Sequence, residues 1–278
     1  MTLESGETQA LHPATEAELA GVVADAAAHK TPLAIVGGGT RSCLGRPMQT
    51  AATLSTARLT GVTLYEPAEL VLSARAGTPL AEIEALLAKN NQRLAFEPPD
   101  YRPLYGTTGE PTIGAIAAAN LSGPRRVQAG AARDSLIGIR AVTGRGDVVK
   151  SGGRVMKNVT GLDFVKFLAG SYGTLAVLSE VTFKVQPAPE IEATLILHGL
   201  DDTRAVAALS AALGSPWGVT GAAHRPARVG QGARTFIRLD GFAISVADRW
   251  LRAKIVMLRD HESCYFRTSL SCLSLYCV

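Results

Sequence analysis

Apolar residues recur at helical spacing at Leu19, Val22, Val23, Ala26 and Ala27, just behind Thr15, with Glu18 three positions after it. This predicts an amphipathic first helix opened by a capping box, in which hydroxyl and carboxylate each take an otherwise unpaired backbone N–H. Thr31-Pro32 ends it. The apolar run 33–36 reads as a strand and feeds straight into Gly37-Gly38-Gly39-Thr40. Further strand-like runs fall at 52–54 and 70–76. Gly77-Thr78-Pro79 then opens a second helix carrying Leu80, Ile83, Leu86 and Leu87, with Thr78 expected as its cap and Pro79 as its first residue.

From 97 to 130 the chain is dense in Pro and Gly, interrupted by a small-residue helix over 113–119. The runs 136–142 and 148–149 flank Gly144-Arg145-Gly146-Asp147 and read as a hairpin. A short helix is expected over 161–169, and a strand over 177–185, alternating at Val181, Phe183 and Val185 and closed by Pro187. After Pro189 a strand at 195–197 precedes a helix expected to be capped by Asp202, with Val206, Leu209 and Leu213 on its apolar face and Gly214 as its stop. This predicts a second α+β domain starting near residue 190. From about Met257 the periodicity stops, so the expectation is a truncated second domain with a non-native or shifted reading as its tail.

At 278 residues the chain can hold one large domain or two smaller ones. A net charge of only +4, with basic residues scattered apart from Arg125-Arg126, argues against a nucleic-acid partner. No run has the length of a membrane span, and acidic Glu4 and Glu7 break the plan of a secretory signal. The expectation is a cytoplasmic protein. The four cysteines, Cys43, Cys264, Cys272 and Cys277, form no C-x-x-C pair and have no metal-site spacing. Any iron–sulfur chemistry would belong to a different chain, and no metal site is expected.

The glycine run carries the candidate chemistry. Consecutive residues without a Cβ let the main chain approach a ligand closely, and bared N–H groups in such a turn suit a phosphate or diphosphate. A nucleotide is the first hypothesis, against a purely structural turn. A dinucleotide fold of the G-x-G-x-x-G type is not matched, because the spaced third glycine is missing and 43–50 has no helical period. A Walker A loop is also absent. Three further segments strengthen the case: the small-residue stretch 111–124, Lys157-Asn158-Val159-Thr160-Gly161-Leu162-Asp163, and Gly170-Ser171-Tyr172-Gly173-Thr174-Leu175.

In this order the segments resemble the flavin-binding domain of the FAD-linked oxidases of the vanillyl-alcohol oxidase (PCMH) type, and more narrowly the E-subunit branch of the bacterial glycolate oxidases. The resemblance runs from about residue 10 to residue 190. It implies an α+β fold: a two-subdomain FAD-binding domain over 10–189, a partial cap domain over 190–256 and an atypical tail over 257–278. It also implies that Val36, Gly37, Gly38, Gly39 and Thr40 hold the FAD diphosphate through backbone N–H groups. Pro111, Thr112, Gly114, Asn120, Ser122 and Gly123 would line the diphosphate and flavin channel. Gly170, Gly173, Thr174 and Val177 would close over the adenine end. Ala115 and Ala176 stand where the family usually has glycine, so a methyl group would tighten the channel. No histidine lies by the turn to tether a flavin.

The implied activity is that of a subunit in a complex oxidising glycolate, a small 2-hydroxy acid, to glyoxylate. Its partners would be a homologous flavoprotein subunit and an iron–sulfur subunit, and its location cytoplasmic or peripheral at the inner face of the cytoplasmic membrane. The alternatives are a self-sufficient FAD-dependent dehydrogenase of another 2-hydroxy acid and a non-catalytic flavin-fold scaffold. Oxidation of a 2-hydroxy acid needs a base and a carboxylate clamp. His12 and His29 read as exposed, and His224-Arg225 is the only histidine–arginine pair in the second domain, so the catalytic residues stay unassigned. Arg125-Arg126 reads either as a solvated pair or as a phosphate or docking contact. Lys157 reads as a surface or cofactor residue, and Asn158 and Asp163 as helix caps. Cys43 reads as a small buried hydrophobe.

Overall fold

The computed structural model describes residues 9–46, 48–153, 162–227 and 232–259. These fall into two units: residues up to Gly123 with Gly130–Pro187, and Pro124–Ala129 with residues from Ala188 onward. The first unit opens with β1 (Gln9–Leu11), α1 (Glu16–Ala28), β2 (Leu33–Val36) and β3 (Ala52–Ser55). The three strands form a parallel sheet ordered β1-β3-β2. Thr15 caps α1 as expected, its Oγ1 accepting from Glu18 N at 3.1 Å. The Glu18 carboxylate reaches one residue further back and accepts from Ala14 N at 2.9 Å.

Next come β4 (Val62–Glu66), β5 (Val71–Arg75), α2 (Leu80–Ala88), β6 (Gln92–Arg93), α3 (Arg102–Tyr105) and α4 (Ile113–Ala119). After α5 (Arg126–Ala129) of the second unit, the chain returns with α6 (Ala132–Ser135), β7 (Leu136–Thr143), β8 (Val148–Gly152), α7 (Phe164–Leu168), β9 (Ala176–Lys184) and β10 (Gln186–Pro187). A five-stranded antiparallel sheet runs β4-β5-β9-β7-β8, with Leu72 opposite Phe183 and Ala74 opposite Val181. The expected hairpin is β7–β8. Alternation put Val181, Phe183 and Val185 on one side, and all three are fully buried.

The main core gathers Leu72, Ile83, Phe96, Ile113, Ile116 and Phe183 between this sheet and α2 and α4, with the Phe96 and Phe183 rings 5.3 Å apart. Each such side chain contributes about 1.5–3 kcal/mol of burial. A second cluster joins α1 to both sheets through Leu19, Val23, Leu54, Val142 and Val177.

The second helix starts one residue later than expected. Pro79 is the flanking cap and Leu80 the first helical residue, because the Thr78 hydroxyl is used elsewhere. It donates to Arg75 O at 2.7 Å and accepts from Gly61 N at 3.1 Å, tying the 75–78 turn down. β1 and β4 carry no strong alternation and were not anticipated. Cys43 is exposed rather than buried, since 41–46 forms surface turns.

In the second unit β11 (Ile191–His198), β12 (Val219–Arg225) and β13 (Arg234–Gly241) form an antiparallel sheet ordered β11-β13-β12. Against it pack α8 (Asp202–Leu213) and α9 (Ala243–Arg259). Asp201, not Asp202, caps α8, accepting from Arg204 N at 2.8 Å. The buried face of α8 is Ala205, Ala208 and Ala212, while Val206 and Leu213 are exposed. Alanines let the helix approach the sheet closely, which larger side chains on that face would prevent. α9 extends past residue 257 as far as Arg259.

Candidate functional site

The glycine turn leaves the C-terminal end of β2 and enters no helix; 40–46 is a series of turns leading to β3. The carbonyl oxygens of Val36, Gly37, Gly39 and Thr40 are taken up by protein hydroxyls and amides. Thr56 N and Oγ1 donate to Val36 O at 2.9 and 3.3 Å, and Ser55 Oγ donates to Gly37 O at 3.1 Å. Ser42 Oγ reaches Gly39 O at 3.3 Å, and Thr107 Oγ1 reaches Thr40 O at 2.9 Å. The N–H groups of Gly38, Gly39 and Thr40 donate to no other described residue. Four of the five acceptors are thus engaged and three donors left over, and a turn of this kind presents partial positive charge to an anion.

The segment 109–115 packs directly on this turn. A Cβ on Gly37 would stand 2.3 Å from Thr112 Oγ1 and 3.0 Å from Ala115 Cβ. The expected tightening by Ala115 therefore falls at the turn itself. Thr112 is 2% exposed, and its hydroxyl finds no hydrogen-bond partner among the described residues. Pro111 O accepts from Leu80 N at 2.8 Å, and Gly114 packs on Ala76 with Gly114 N donating to Ala76 O at 2.8 Å. These bonds pin the start of α4 to the 76–80 turn.

The far end of α4 gathers the remaining segments. Asn120 ends the helix in the left-handed region (φ 49°), and its Oδ1 accepts from Arg133 N at 2.9 Å. Ser122 Oγ accepts from Ala132 N at 3.0 Å, and Gly123 N donates to Phe96 O at 2.8 Å. Gly170 N and Tyr172 N donate to the Ala117 and Ala118 carbonyls at 3.2 and 2.9 Å. A Cβ on Gly173 would meet Ile35 of β2 at 3.0 Å, so this loop also reaches the strand that carries the glycine turn. Thr174 turns its hydroxyl onto Ser171 O at 2.6 Å.

Around α4 the structure thus assembles the turn at 37–40, the 111–114 segment, Asn120 and the 170–174 loop. Ser122 and Gly123 sit beside 96–97 and 132, engaged in main-chain packing. Val177 is placed otherwise: it is a buried core residue of β9, packed with Leu19, Leu54 and Val142. Ser42, Ser55, Thr56 and Thr107, which orient the turn, were missed. A pair of hydroxyl residues ending β3 was the one available signal.

Several other candidates resolve simply. Arg125 forms an ion pair with Asp240 inside the second unit, their side chains 12% and 5% exposed, so it is neither solvated nor free for phosphate. Arg126 is exposed. His224 Nδ1 lies 2.9 Å from Thr235 Oγ1 and Nε2 lies 3.3 Å from Asp202 Oδ1, a structural bridge between β12, β13 and α8. Asp163 caps α7 through Lys166 N at 3.1 Å. Lys157, Asn158 and Gly161 lie outside the described residues.

The donor-rich turn, with an unsatisfied hydroxyl directly beneath it, fits a ligand carrying a diphosphate. Comparison with known proteins agrees. The family described as "FAD binding domain" matches residues 8–152. The chain is 44% identical over 173 residues to the glycolate oxidase subunit GlcE of Escherichia coli (strain K12), covering 62% of this chain and 47% of that protein. It is 28% identical over 185 residues to the glycolate oxidase subunit GlcD of Bacillus subtilis (strain 168), covering 66% and 38%. Its fold matches a solved structure of alkyldihydroxyacetonephosphate synthase with a TM-score of 0.72 at 18% identity, over 91% of this chain and 50% of that one. The chain spans less than half the length of these two curated relatives. With the family matched over more than half of its length and a turn built to donate hydrogen bonds, the chain belongs to the FAD-binding domain family, and FAD is its cofactor.

Proposed function

We propose that this chain is the FAD-binding part of an oxidoreductase that converts a small 2-hydroxy acid, glycolate, to the corresponding 2-oxo acid. The observation that carries the cofactor part is the 37–40 turn, where the carbonyls of Gly37, Gly39 and Thr40 are engaged and the amides of Gly38, Gly39 and Thr40 donate to no described residue. Those amides would hold the diphosphate, with Val36 and Gly37 positioning them. Pro111, Thr112 and Gly114 back the turn, and Asn120, Gly170, Gly173 and Thr174 shape the far side of α4. When bound, FAD supplies the two-electron oxidation of the substrate. The protein's own contribution is to bind and orient the dinucleotide and keep its approach free of bulky side chains.

The similarity to GlcE supports a role as one subunit of a glycolate-oxidising complex. In this reading a homologous flavoprotein and an iron–sulfur subunit are its partners, and it lies in the cytoplasm or at the inner membrane face. No helix among the described residues is long and apolar enough to cross a membrane. His224, the histidine weighed as a base, is held on its own sheet by the Nδ1 contact to Thr235, with Nε2 near Asp202 but not hydrogen-bonded, which favours a substrate site completed by another chain.

Visible absorbance of the purified chain, followed by anaerobic addition of glycolate, tests this reading. A yellow protein that bleaches only when partner subunits are added is the expected result. Bleaching by the chain alone would show a self-sufficient dehydrogenase, and a colourless protein that takes up no FAD would overturn the cofactor assignment.

A further inference from the structure

Immediately after the glycine turn comes Arg41, a cation that pairs with no carboxylate among the described residues. Arg41 is half-buried, and no hydrogen bond or ion pair to a described residue ties it down. Its carbonyl accepts from Leu44 N at 3.0 Å, which fixes its backbone in the turn that follows Thr40. The titratable groups that act on it are phenols: Tyr101 and Tyr105, whose rings lie 5.8 Å apart, and Tyr172 of the 170–174 loop. The carboxylates of the neighbouring loop are committed elsewhere. Asp100 and Glu110 both pair with Arg102, at 2.9 and 3.0 Å.

A partly desolvated cation without an anion is costly, and proteins normally pair one. Here no described carboxylate pairs with Arg41, so its charge is available to an anion held at the adjoining turn. An arginine beside three free amides matches the two kinds of donor that a diphosphate takes.

We infer that Arg41 is a diphosphate-binding residue, adding a formal positive charge to a turn whose own donors are backbone dipoles. This rests on the FAD reading above and adds a side chain to a site so far built from main chain.

The test uses the full chain stripped of flavin, with binding followed by calorimetry for FAD, for ADP (diphosphate without flavin) and for riboflavin (flavin without phosphate). Arg41→Ala is expected to weaken FAD and ADP by about 10- to 100-fold. It should leave riboflavin within about twofold, since only the phosphate contact is removed. Arg41→Lys should recover part of the loss, and the salt dependence of FAD binding should flatten in Arg41→Ala. If Arg41→Ala does not fold, Arg41→Gln, which keeps most of the side-chain volume, answers the same question. Equal FAD affinity in parent and variant, or an equal loss for riboflavin, would overturn the inference while leaving the FAD reading intact. Failure of the parent to take up FAD would overturn both.

Discussion

The carbonyl oxygen of Glu110 lies 1.8 Å from the point where a Cβ on Gly38 would stand, and Gly109 meets the Gly38 carbonyl in the same way, at 1.7 Å. Two backbones touch here, so the glycine is required by the 109–110 segment as much as by any ligand. Gly38→Ala must push that segment away. Overpacking of this kind costs about 1–3 kcal/mol. Gly39 faces open space but has a φ of +75°, so Gly39→Ala should cost about 1–2 kcal/mol through backbone conformation alone. Urea unfolding of both variants measures this, and FAD binding should suffer more in Gly38→Ala than in Gly39→Ala. Unchanged unfolding of Gly38→Ala would show that the two segments are not packed as described.

Thr112 separates binding from stability. Its hydroxyl is buried without a partner, and an unsatisfied buried polar group costs about 1–3 kcal/mol. Thr112→Val keeps the shape and removes that cost. The unliganded protein should be as stable as the parent or more so, by about 1 kcal/mol, while FAD affinity falls roughly fivefold. A loss of stability in the unliganded variant would mean that the hydroxyl already has a partner.

Glu16 links the first helix to the five-stranded sheet. Arg140 Nε donates to its Oε1 at 3.0 Å, and Ser179 Oγ donates to the same oxygen at 2.6 Å. The Arg140 hydrogen bond is the largest influence and holds the carboxyl below its usual range, with burial opposing and Ser179 assisting. A carboxyl depressed in the folded state binds fewer protons there than in the unfolded chain. Its contribution is therefore complete above the unfolded pKa of about 4.3 and is lost as pH falls through the folded value. The stability gap between parent and Glu16→Gln should be widest near neutrality and close as pH falls below about 4.3 and through the lowered folded value. Thermal melts across that range check it, and a gap independent of pH would exclude the ion pair as its source.

The Arg125–Asp240 pair should be the most sensitive polar contact of the second unit. Removing one partner leaves the other charge buried, at a cost of about 3–5 kcal/mol. Arg125→Ala and Asp240→Asn should each destabilise that unit strongly, while Arg125→Met combined with Asp240→Leu should recover much of the loss. Chemical unfolding of the three variants reads this, and mild single variants would show the pair to be solvated.

Local patterns were legible wherever one element could be recognised from its own residues. Thr15 and Glu18 announced the first helix, the alternation of Val181, Phe183 and Val185 marked the central strand, and 113–119 is the observed α4. Misreadings arose where a neighbour chose between equivalent local options. Thr78 had the right chemistry for a cap, but its hydroxyl is used by Arg75 and Gly61. On α8 the larger Val206 and Leu213 looked like the buried face with Leu209, yet only Leu209 packs partly inside and the fully buried residues are the alanines, which let the helix lie close to the sheet.

The glycine run and the small residues of 111–124 are properties of the chain alone, since a missing side chain is visible without coordinates. What those vacancies face depends on contacts between residues far apart in sequence. Only folding brings Ser55 and Thr107 to the carbonyls of the turn, sets Thr112 beneath Gly37 and lays the 170–174 loop on the end of α4. Side-chain absence is a local quantity; the direction of a hydrogen-bond donor is fixed by whichever distant acceptors satisfy its neighbours.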